Sequence, residues 1–94
     1  MKESYLIEKI KAYLKSVDGL FFFKEHGGQF GTSGLPDLIV CCRGRFVAFE
    51  VKTEKGRTTV LQEVTLRRIR AAGGIAAAVR SVEDVRTVIK SLEG

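Results

Sequence analysis

Apolar residues recur along the chain at spacings that predict alternating helices and strands. Near the amino terminus they return every three or four positions, which predicts an amphipathic helix over residues 3–17. Short apolar runs at 20–23, 38–42, 46–51 and 75–79 have the length and composition of strands. The run at 46–51 is apolar on both of its faces, which is typical of a strand buried in the middle of a sheet.

Two capping signals place the remaining helices. Thr59-Val60-Leu61-Gln62 has the form of a capping box and predicts a helix that ends at Gly73-Gly74. Ser81 begins a final helix, whose apolar stripe consists of Val82, Val85, Val88, Ile89 and Leu92. The resulting order, αβββαβα, predicts an α/β fold in which helices flank a mixed sheet. With 94 residues, 45% of them hydrophobic, the chain is predicted to be a single domain over residues 1–94.

A short hairpin turn brings two acidic residues together. If Arg43-Gly44 is a two-residue turn of the primed type, the residues on either side of it pair with each other. Counting outward from that pair places Asp37 directly opposite Glu50, and Lys52 lies on the same face two residues further along. A bulge would shift the pairing by one residue and separate the two carboxylates.

Opposed carboxylates on a buried strand destabilise a fold unless they bind something. Like charges that face each other across a sheet repel, and burying an ionised carboxylate without a partner costs several kcal/mol. A hard divalent cation would turn this repulsion into a binding site. The alternative is structural: Glu50 and Lys52 form an ordinary charge pair at the strand end, and Asp37 caps the glycine-rich loop. The spacing alone leaves both interpretations open.

The composition of the chain indicates which classes of partner it can bind and in which cellular compartment it is expected. A net charge of +5 and an isoelectric point near 9.5 favour a phosphate-bearing partner, although many small basic proteins bind none. The glycine-rich segment 27–34 lacks the Gly-Lys-Ser/Thr ending of a phosphate-binding loop, so we predict no nucleotide cofactor. Cys41 and Cys42 fall on opposite faces of a strand and are expected to stay reduced. The sequence shows no signal peptide and no apolar run of membrane-spanning length, and we expect a soluble, cytoplasmic protein.

The residues around the hairpin resemble a known nuclease signature. Gly34-Leu35-Pro36-Asp37, followed by Phe49-Glu50-Val51-Lys52, is similar to the PD-(D/E)XK motif of restriction-endonuclease-like nucleases. Within that superfamily the chain most resembles the VRR-NUC (virus-type replication–repair nuclease) domain. The short gap between the two motifs supports this resemblance, as does Gln62 upstream of Gly73-Gly74. It spans nearly the whole chain and implies the PD-(D/E)XK core fold.

The resemblance also implies roles for individual residues. Asp37, Glu50 and the backbone carbonyl of Val51 would hold Mg²⁺, for which Mn²⁺ can substitute. Lys52 would position the attacking water or stabilise charge on the phosphate. Gln62 would help to orient Lys52 or the phosphate, although the capping box is by itself sufficient reason for a glutamine there. The two roles of Gln62 are expected to compete for one side chain.

Nucleases that resemble this chain add a glutamate from the first helix. Glu3 lies on the apolar stripe that must pack on the sheet, whereas Glu8 is turned away from it. We therefore predict that Glu3 is the third metal-binding acid, although an acid there also suits the helix dipole. The predicted contacts to nucleic acid around the site are Lys24, Gly34, Lys55 and Arg57.

The implied function is that of a metal-dependent DNA endonuclease, which hydrolyses phosphodiester bonds. A stand-alone domain of this size resembles homodimeric nucleases that cut branched DNA, as a Holliday-junction resolvase does, because paired sites can nick two symmetric strands. Phe21-Phe22-Phe23 is a candidate dimer interface, although a core strand also explains it. Two other hypotheses stay open: a catalytically silent DNA-binding module on the same fold, and an α/β interaction domain whose charges are structural.

Overall fold

A computed structural model describes residues 1–26 and 33–93 of the chain, and the helices and strands follow in the predicted αβββαβα order. The helices are α1 (Glu3–Lys15), α2 (Val60–Ala71) and α3 (Val82–Ser91). The strands are β1 (Leu20–Lys24), β2 (Leu38–Cys42), β3 (Arg45–Val51) and β4 (Ile75–Val79). None of these helices is long and apolar enough to cross a membrane.

The four strands form one mixed sheet in the order β1-β2-β3-β4. The first three strands pair antiparallel, whereas β3 and β4 are parallel. A parallel pair needs a crossover connection, and α2 supplies it between β3 and β4. The predicted α/β fold with a mixed sheet is therefore confirmed.

The turn between β2 and β3 has the predicted geometry. Arg43 and Gly44 both have positive φ angles, 52° and 80°, as a primed two-residue turn requires. The flanking residues Cys42 and Arg45 pair with each other, and the register continues without a bulge to Leu38 opposite Phe49. One residue further along, this register brings Asp37 opposite Glu50.

Helices cover the two faces of the sheet unequally. The helices α1 and α3 pack on one face, which carries the larger core. The buried side chains of that core come from α1, α3 and three strands: Leu6, Ile7, Ile10, Leu14, Leu38, Val40, Cys42, Val47, Phe49, Val51, Val79, Val85 and Ile89. The opposite face carries a smaller cluster, in which Leu66 of α2 packs on Ala48 and Ala76. Among the described helices, α2 contacts mainly β4, and no helix of residues 1–26 and 33–93 makes a comparable contact with β1 or β2 on this face.

Alternation along the strands decides which apolar side chains are buried. In β2, Cys42 is buried and Cys41 is exposed, and both are free thiols, as their positions on opposite faces predict. In β1, Phe22 packs against the larger core, whereas Phe21 and Phe23 are 69% and 47% exposed. The three phenylalanines are therefore divided between a core and an open surface.

Candidate metal centre

Asp37 occupies the point at which the pairing of β2 with β3 begins. Its Oδ2 accepts a hydrogen bond of 2.7 Å from the backbone N–H of Val51. The preceding Pro36 is buried and has no N–H, and regular strand geometry starts only at Leu38. The carboxylate of Asp37 thus satisfies a backbone donor at the end of β3, which fixes the side chain beside the next strand.

Glu50 is the buried charged residue of the described core, with 2% of its surface exposed. Its Oε2 accepts from Nε2 of Gln62 at 3.2 Å and lies 3.5 Å from Nζ of Lys52. Its Oε1 is buried and has no hydrogen-bond partner among the described residues. An unpaired buried carboxylate oxygen is costly, so its presence needs an explanation.

The surroundings of Glu50 disfavour its ionised form. The pKa of Glu50 is raised from 4.5 to about 8, mainly by burial and in addition by the nearby carboxyl group of Asp37, through hydrogen bonding and through charge repulsion. The ammonium group of Lys52 acts in the opposite direction but does not offset these effects. At neutral pH, the metal-free site therefore keeps a proton on Glu50.

Gln62 forms the predicted helix cap and also contacts the buried carboxylate of Glu50. The side-chain Oε1 of Gln62 accepts a hydrogen bond from the backbone N–H of Thr59 at 2.8 Å. The backbone N–H of Gln62 donates to the Thr59 hydroxyl at 3.1 Å, which completes the capping box. Its Nε2 meanwhile donates to Glu50. The cap and the bond to Glu50 are compatible, because an amide offers an acceptor and a donor on different atoms. The expected action of Gln62 on Lys52 or the phosphate stays a prediction. The cap orients the amide so that its donor points at the carboxylate.

Lys52 follows β3 and has only 13% of its side chain exposed. Its backbone N–H donates to the carbonyl of Val79 at 2.9 Å, which extends the parallel pairing with β4 by one residue. The side chain is thereby held on the same face as Glu50, as the alternation along the strand predicts. The residue between them, Val51, is fully buried and uses its N–H to bind Asp37.

The two opposed carboxylates suit Mg²⁺ better than a metal that needs a complete protein cage. Within residues 1–26 and 33–93, no three side chains of Asp, Glu, His or Cys lie close enough together to hold a metal ion. Mg²⁺ keeps several of its waters and is commonly bound by only one or two carboxylates. The unpartnered Oε1 of Glu50 and the adjacent Asp37 supply such a pair of hard oxygen ligands.

Glu3 is the first residue of α1, and the structure does not bring it into a cluster with Asp37 and Glu50. The apolar stripe of α1 is buried as predicted, but it packs on the face of the sheet opposite to the one that carries Glu50. Glu8 is exposed and pairs with Lys11, in agreement with its outward position. The role of Glu3 as a third acid stays a prediction.

The predicted nucleic-acid contacts lie on different elements, and their role stays a prediction. Lys55 and Arg57 are exposed on the loop between β3 and α2, and Lys24 ends β1 at the same edge of the sheet. Gly34, with a φ of 82°, packs so tightly that an added Cβ would lie 3.0 Å from the backbone of Leu61. This contact explains the glycine by packing, and its contact with nucleic acid stays a prediction. Gly27, Gly28 and Gly31 lie outside the described residues.

Arg80 supports the site in a way that the sequence did not indicate. Its Nη1 donates to the backbone carbonyls of Thr53 and Gly56 at 2.5 and 2.6 Å. These bonds hold the loop that follows Lys52 and carries Lys55. The signal that could have revealed this role is the position of Arg80 directly after β4, beside the end of β3.

Comparisons with known proteins place this geometry in a nuclease-type fold. A solved structure described as "VRR_NUC domain" is 28% identical to the chain, with a TM-score of 0.77, and the match covers 94% of each chain. A second, described as "VRR_NUC domain protein", is 18% identical with a TM-score of 0.77; the match covers 96% of this chain and 86% of that one. No family model and no curated protein matches the chain. The resemblance inferred from the two motifs is confirmed by these structures.

Proposed function

On this VRR_NUC-type nuclease fold, we propose that the chain is a metal-dependent DNA endonuclease that hydrolyses phosphodiester bonds. The observation that carries the proposal is the buried, unpartnered Oε1 of Glu50 beside the carboxylate of Asp37. The two groups repel each other when both are ionised, and a divalent cation would relieve this repulsion and satisfy the bare oxygen. A stable domain gains nothing from this arrangement unless the site is used.

In this proposal, Asp37 and Glu50 hold Mg²⁺, for which Mn²⁺ can substitute, together with the backbone carbonyl of Val51. The proposed part of Glu3 is to add a further carboxylate through water, since no three acids of the described residues lie close enough to ligate one ion. When bound, the cation polarises the phosphate and lowers the pKa of the attacking water. Lys52 stabilises the negative charge that develops on the phosphate during attack.

Gln62 is a positioning residue in this mechanism. Its amide fixes Oε2 of Glu50 from one side, and Lys52 approaches the same oxygen from another. The bare Oε1 is therefore the oxygen of Glu50 that is left for the cation. Because the amide is itself held by the cap of α2, the carboxylate keeps its orientation while the cation exchanges.

DNA is the proposed substrate because the chain is basic and the loop that follows the site carries exposed cations. The net charge of the chain is +5, and Lys55 and Arg57 are exposed on the loop that follows the site. Cations in these positions would contact the backbone phosphates of a strand whose scissile bond lies at Asp37 and Glu50. Lys24 and Gly34 are the proposed contacts on the other side of the site.

The finer proposal is a homodimer that cuts branched DNA, such as a Holliday junction. Its support is a group of exposed aromatic side chains on the face that carries the site: Phe21 and Phe23 of β1 and Phe46 of β3 are between 46% and 69% exposed. Exposed apolar patches of this kind mark interaction surfaces. A two-fold axis through this surface would pair two sites, as the symmetric nicking of a junction requires.

The proposed location is the cytoplasm, where thiols stay reduced. Cys41 and Cys42 are both free, and alternation along β2 prevents them from forming a disulfide with each other. Exposed Cys41 would be the first residue to react outside a reducing compartment.

One experiment tests the proposed function. Purified protein is incubated with branched and linear DNA in the presence of Mg²⁺, Mn²⁺ or EDTA, and the products are resolved on denaturing gels. We expect cleavage with either cation, preference for branched DNA, and none with EDTA. Asp37→Asn and Lys52→Ala should abolish cleavage while leaving DNA binding largely intact, and Glu8→Gln is the matched control.

The same experiment separates the alternative functions. Binding without cleavage under every metal condition would favour a catalytically silent DNA-binding module. Neither binding nor cleavage would favour an interaction domain with structural charges. Cleavage that is equal with EDTA would refute the metal-dependent mechanism.

A further inference from the structure

The register of the sheet places a third acid in line with the two carboxylates. The pairing of β1 with β2 runs to Lys24 opposite Leu38, and the backbone N–H of Glu25 donates to the carbonyl of Asp37 at 2.8 Å. The pairing therefore continues by one residue, with Glu25 opposite Asp37. Glu25, Asp37 and Glu50 consequently occupy one row across three neighbouring strands.

Alternation along β1 places Glu25 on the face that carries the site. Phe22 packs on the larger core, whereas Phe21 and Phe23 emerge on the opposite face, which α2 partly covers. Glu25 lies two residues after Phe23, and side chains two residues apart on a strand share a face, so Glu25 falls on the side of Phe21 and Phe23. Within the described residues, Glu25 is half-buried and forms no ion pair with Lys or Arg.

Three acids in a row are unfavourable for the sheet itself. Directly opposed like charges destabilise a strand pair, and Glu25 adds a second such pair to that of Asp37 with Glu50. At the far end of the row, Oε1 of Glu50 is buried without a hydrogen-bond partner among the described residues, which independently supports a ligand at this place. Ala78, which pairs with Glu50 from the other side, is exposed and adds only a methyl group.

From this row we propose that Glu25 is the third acid of the cation site and increases its affinity for divalent cations; the inference rests on the proposed function of Asp37 and Glu50. Neighbouring strands lie about 4.8 Å apart, which puts the backbone of Glu25 about 10 Å from that of Glu50. No three acids of the described chain are close enough to ligate one ion together. Glu25 therefore acts on the cation by its charge across the row and not as a direct ligand.

The expected effect follows from Coulomb's law. One negative charge about 8–10 Å from a divalent cation, in surroundings between protein and water, changes the affinity about five- to twentyfold. Binding of Mn²⁺ to the DNA-free protein, followed by the electron paramagnetic resonance signal of free Mn²⁺, measures this directly. The variants are Glu25→Gln, Glu25→Asp, which keeps the charge, and Glu8→Gln as the matched loss of one exposed charge. Thermal unfolding in EDTA establishes that each variant is folded.

We expect Glu25→Gln to weaken Mn²⁺ binding about five- to twentyfold, Glu25→Asp to stay close to wild type, and Glu8→Gln to have no effect. Equal affinities of Glu25→Gln and Glu8→Gln would overturn the inference. So would a Glu25→Asp variant as weak as Glu25→Gln, because the charge would then not be the cause. Failure of the proposed function looks different: the wild type itself would not bind Mn²⁺, or Asp37→Asn would bind it equally well.

Discussion

Replacing Glu50 by glutamine in the metal-free protein should make the fold more stable at alkaline pH. The substitution keeps the shape of the side chain but removes its ionisation. The carbonyl of the new amide can accept from Gln62 as Oε2 of Glu50 does, and its N–H₂ group can donate to Asp37. The repulsion between the two acids is replaced by a hydrogen bond.

The size of the effect follows from the pKa of Glu50. In the unfolded chain the carboxyl group loses its proton near pH 4.5, whereas in the folded protein its pKa is raised to about 8. Between these values the folded state holds the extra proton, so the free energy of unfolding falls as the pH rises, by roughly 1.4 kcal/mol per pH unit. The contribution of Glu50 to the free energy of unfolding is thus fully present below pH 4.5 and is lost as the pH rises to 8. From pH 5 to pH 8 the loss amounts to about 4 kcal/mol.

Urea unfolding in EDTA across pH 5 to 9 measures this loss. The difference between wild type and Glu50→Gln reports the titration of Glu50 together with its coupling to Asp37 and Lys52, because the titration of distant residues is common to both proteins. Glu54→Gln is the matched control, since Glu54 is exposed on the loop after β3. Saturating Mg²⁺ should recover much of the wild-type stability at pH 8 and should leave Glu50→Gln unchanged.

This reasoning is refuted if the free energies of unfolding of wild type and Glu50→Gln depend on pH in the same way. If wild type and Glu50→Gln lose or gain stability equally from pH 5 to 9, Glu50 is ionised at its ordinary pKa in the folded protein. The carboxylate would then be adequately paired without a cation, and the physical reason for a metal at this place would disappear.

Three further substitutions test other parts of the account. Asp37→Asn should lose Mn²⁺ binding and keep its fold, because an amide oxygen can still accept from the N–H of Val51. Asp37→Ala removes this acceptor and should lower the free energy of unfolding in urea by about 1–3 kcal/mol. Equal stability of the two variants would contradict this role of Asp37. Gly34→Ala should lower the free energy of unfolding by more than about 1 kcal/mol, since it forces a β-carbon against Leu61 at a positive φ; an unchanged urea midpoint would refute this packing. Phe21→Ser should convert a dimer to a monomer in light scattering without loss of thermal stability, and a wild type that is already monomeric would remove the proposed interface.

The geometry of the acid pair could be predicted because it depends on local rules. A primed turn has fixed consequences for the register of a hairpin, and the positive φ angles of Arg43 and Gly44 confirm the turn. Given that register, alternation alone places Glu50 and Lys52 on one face. The buried stripe of α1 followed from helical periodicity in the same way.

The position of α1 relative to the site could not be predicted, because periodicity identifies the buried face of a helix but not the face of the sheet that it covers. Glu3 was chosen because its side of α1 packs inward, yet α1 and Glu50 lie on opposite faces of the sheet. For the same reason, the sequence did not predict that Phe21 and Phe23 are exposed. Whether Phe21 and Phe23 are core or surface depends on where α2 packs.

Glu25 was missed because its neighbour in space is fixed by the pairing of β1 with β2. The connection between these strands spans residues 25–37, which is too long for a register to be counted from the sequence. The double role of Gln62 was missed for a different reason. A sequence motif names the residue that caps a helix, but it does not show which of its atoms remain free for a second bond.

Calorimetric titration of Mn²⁺ into the DNA-free protein at pH 7, in buffers of different ionisation enthalpy, tests most directly whether Asp37 and Glu50 form a cation site. Because the pKa of Glu50 is about 8, we expect release of close to one proton for each cation bound. The release should vanish in Glu50→Gln, and binding should vanish in Asp37→Asn. Binding that releases no proton, or that survives in Asp37→Asn, would contradict the account.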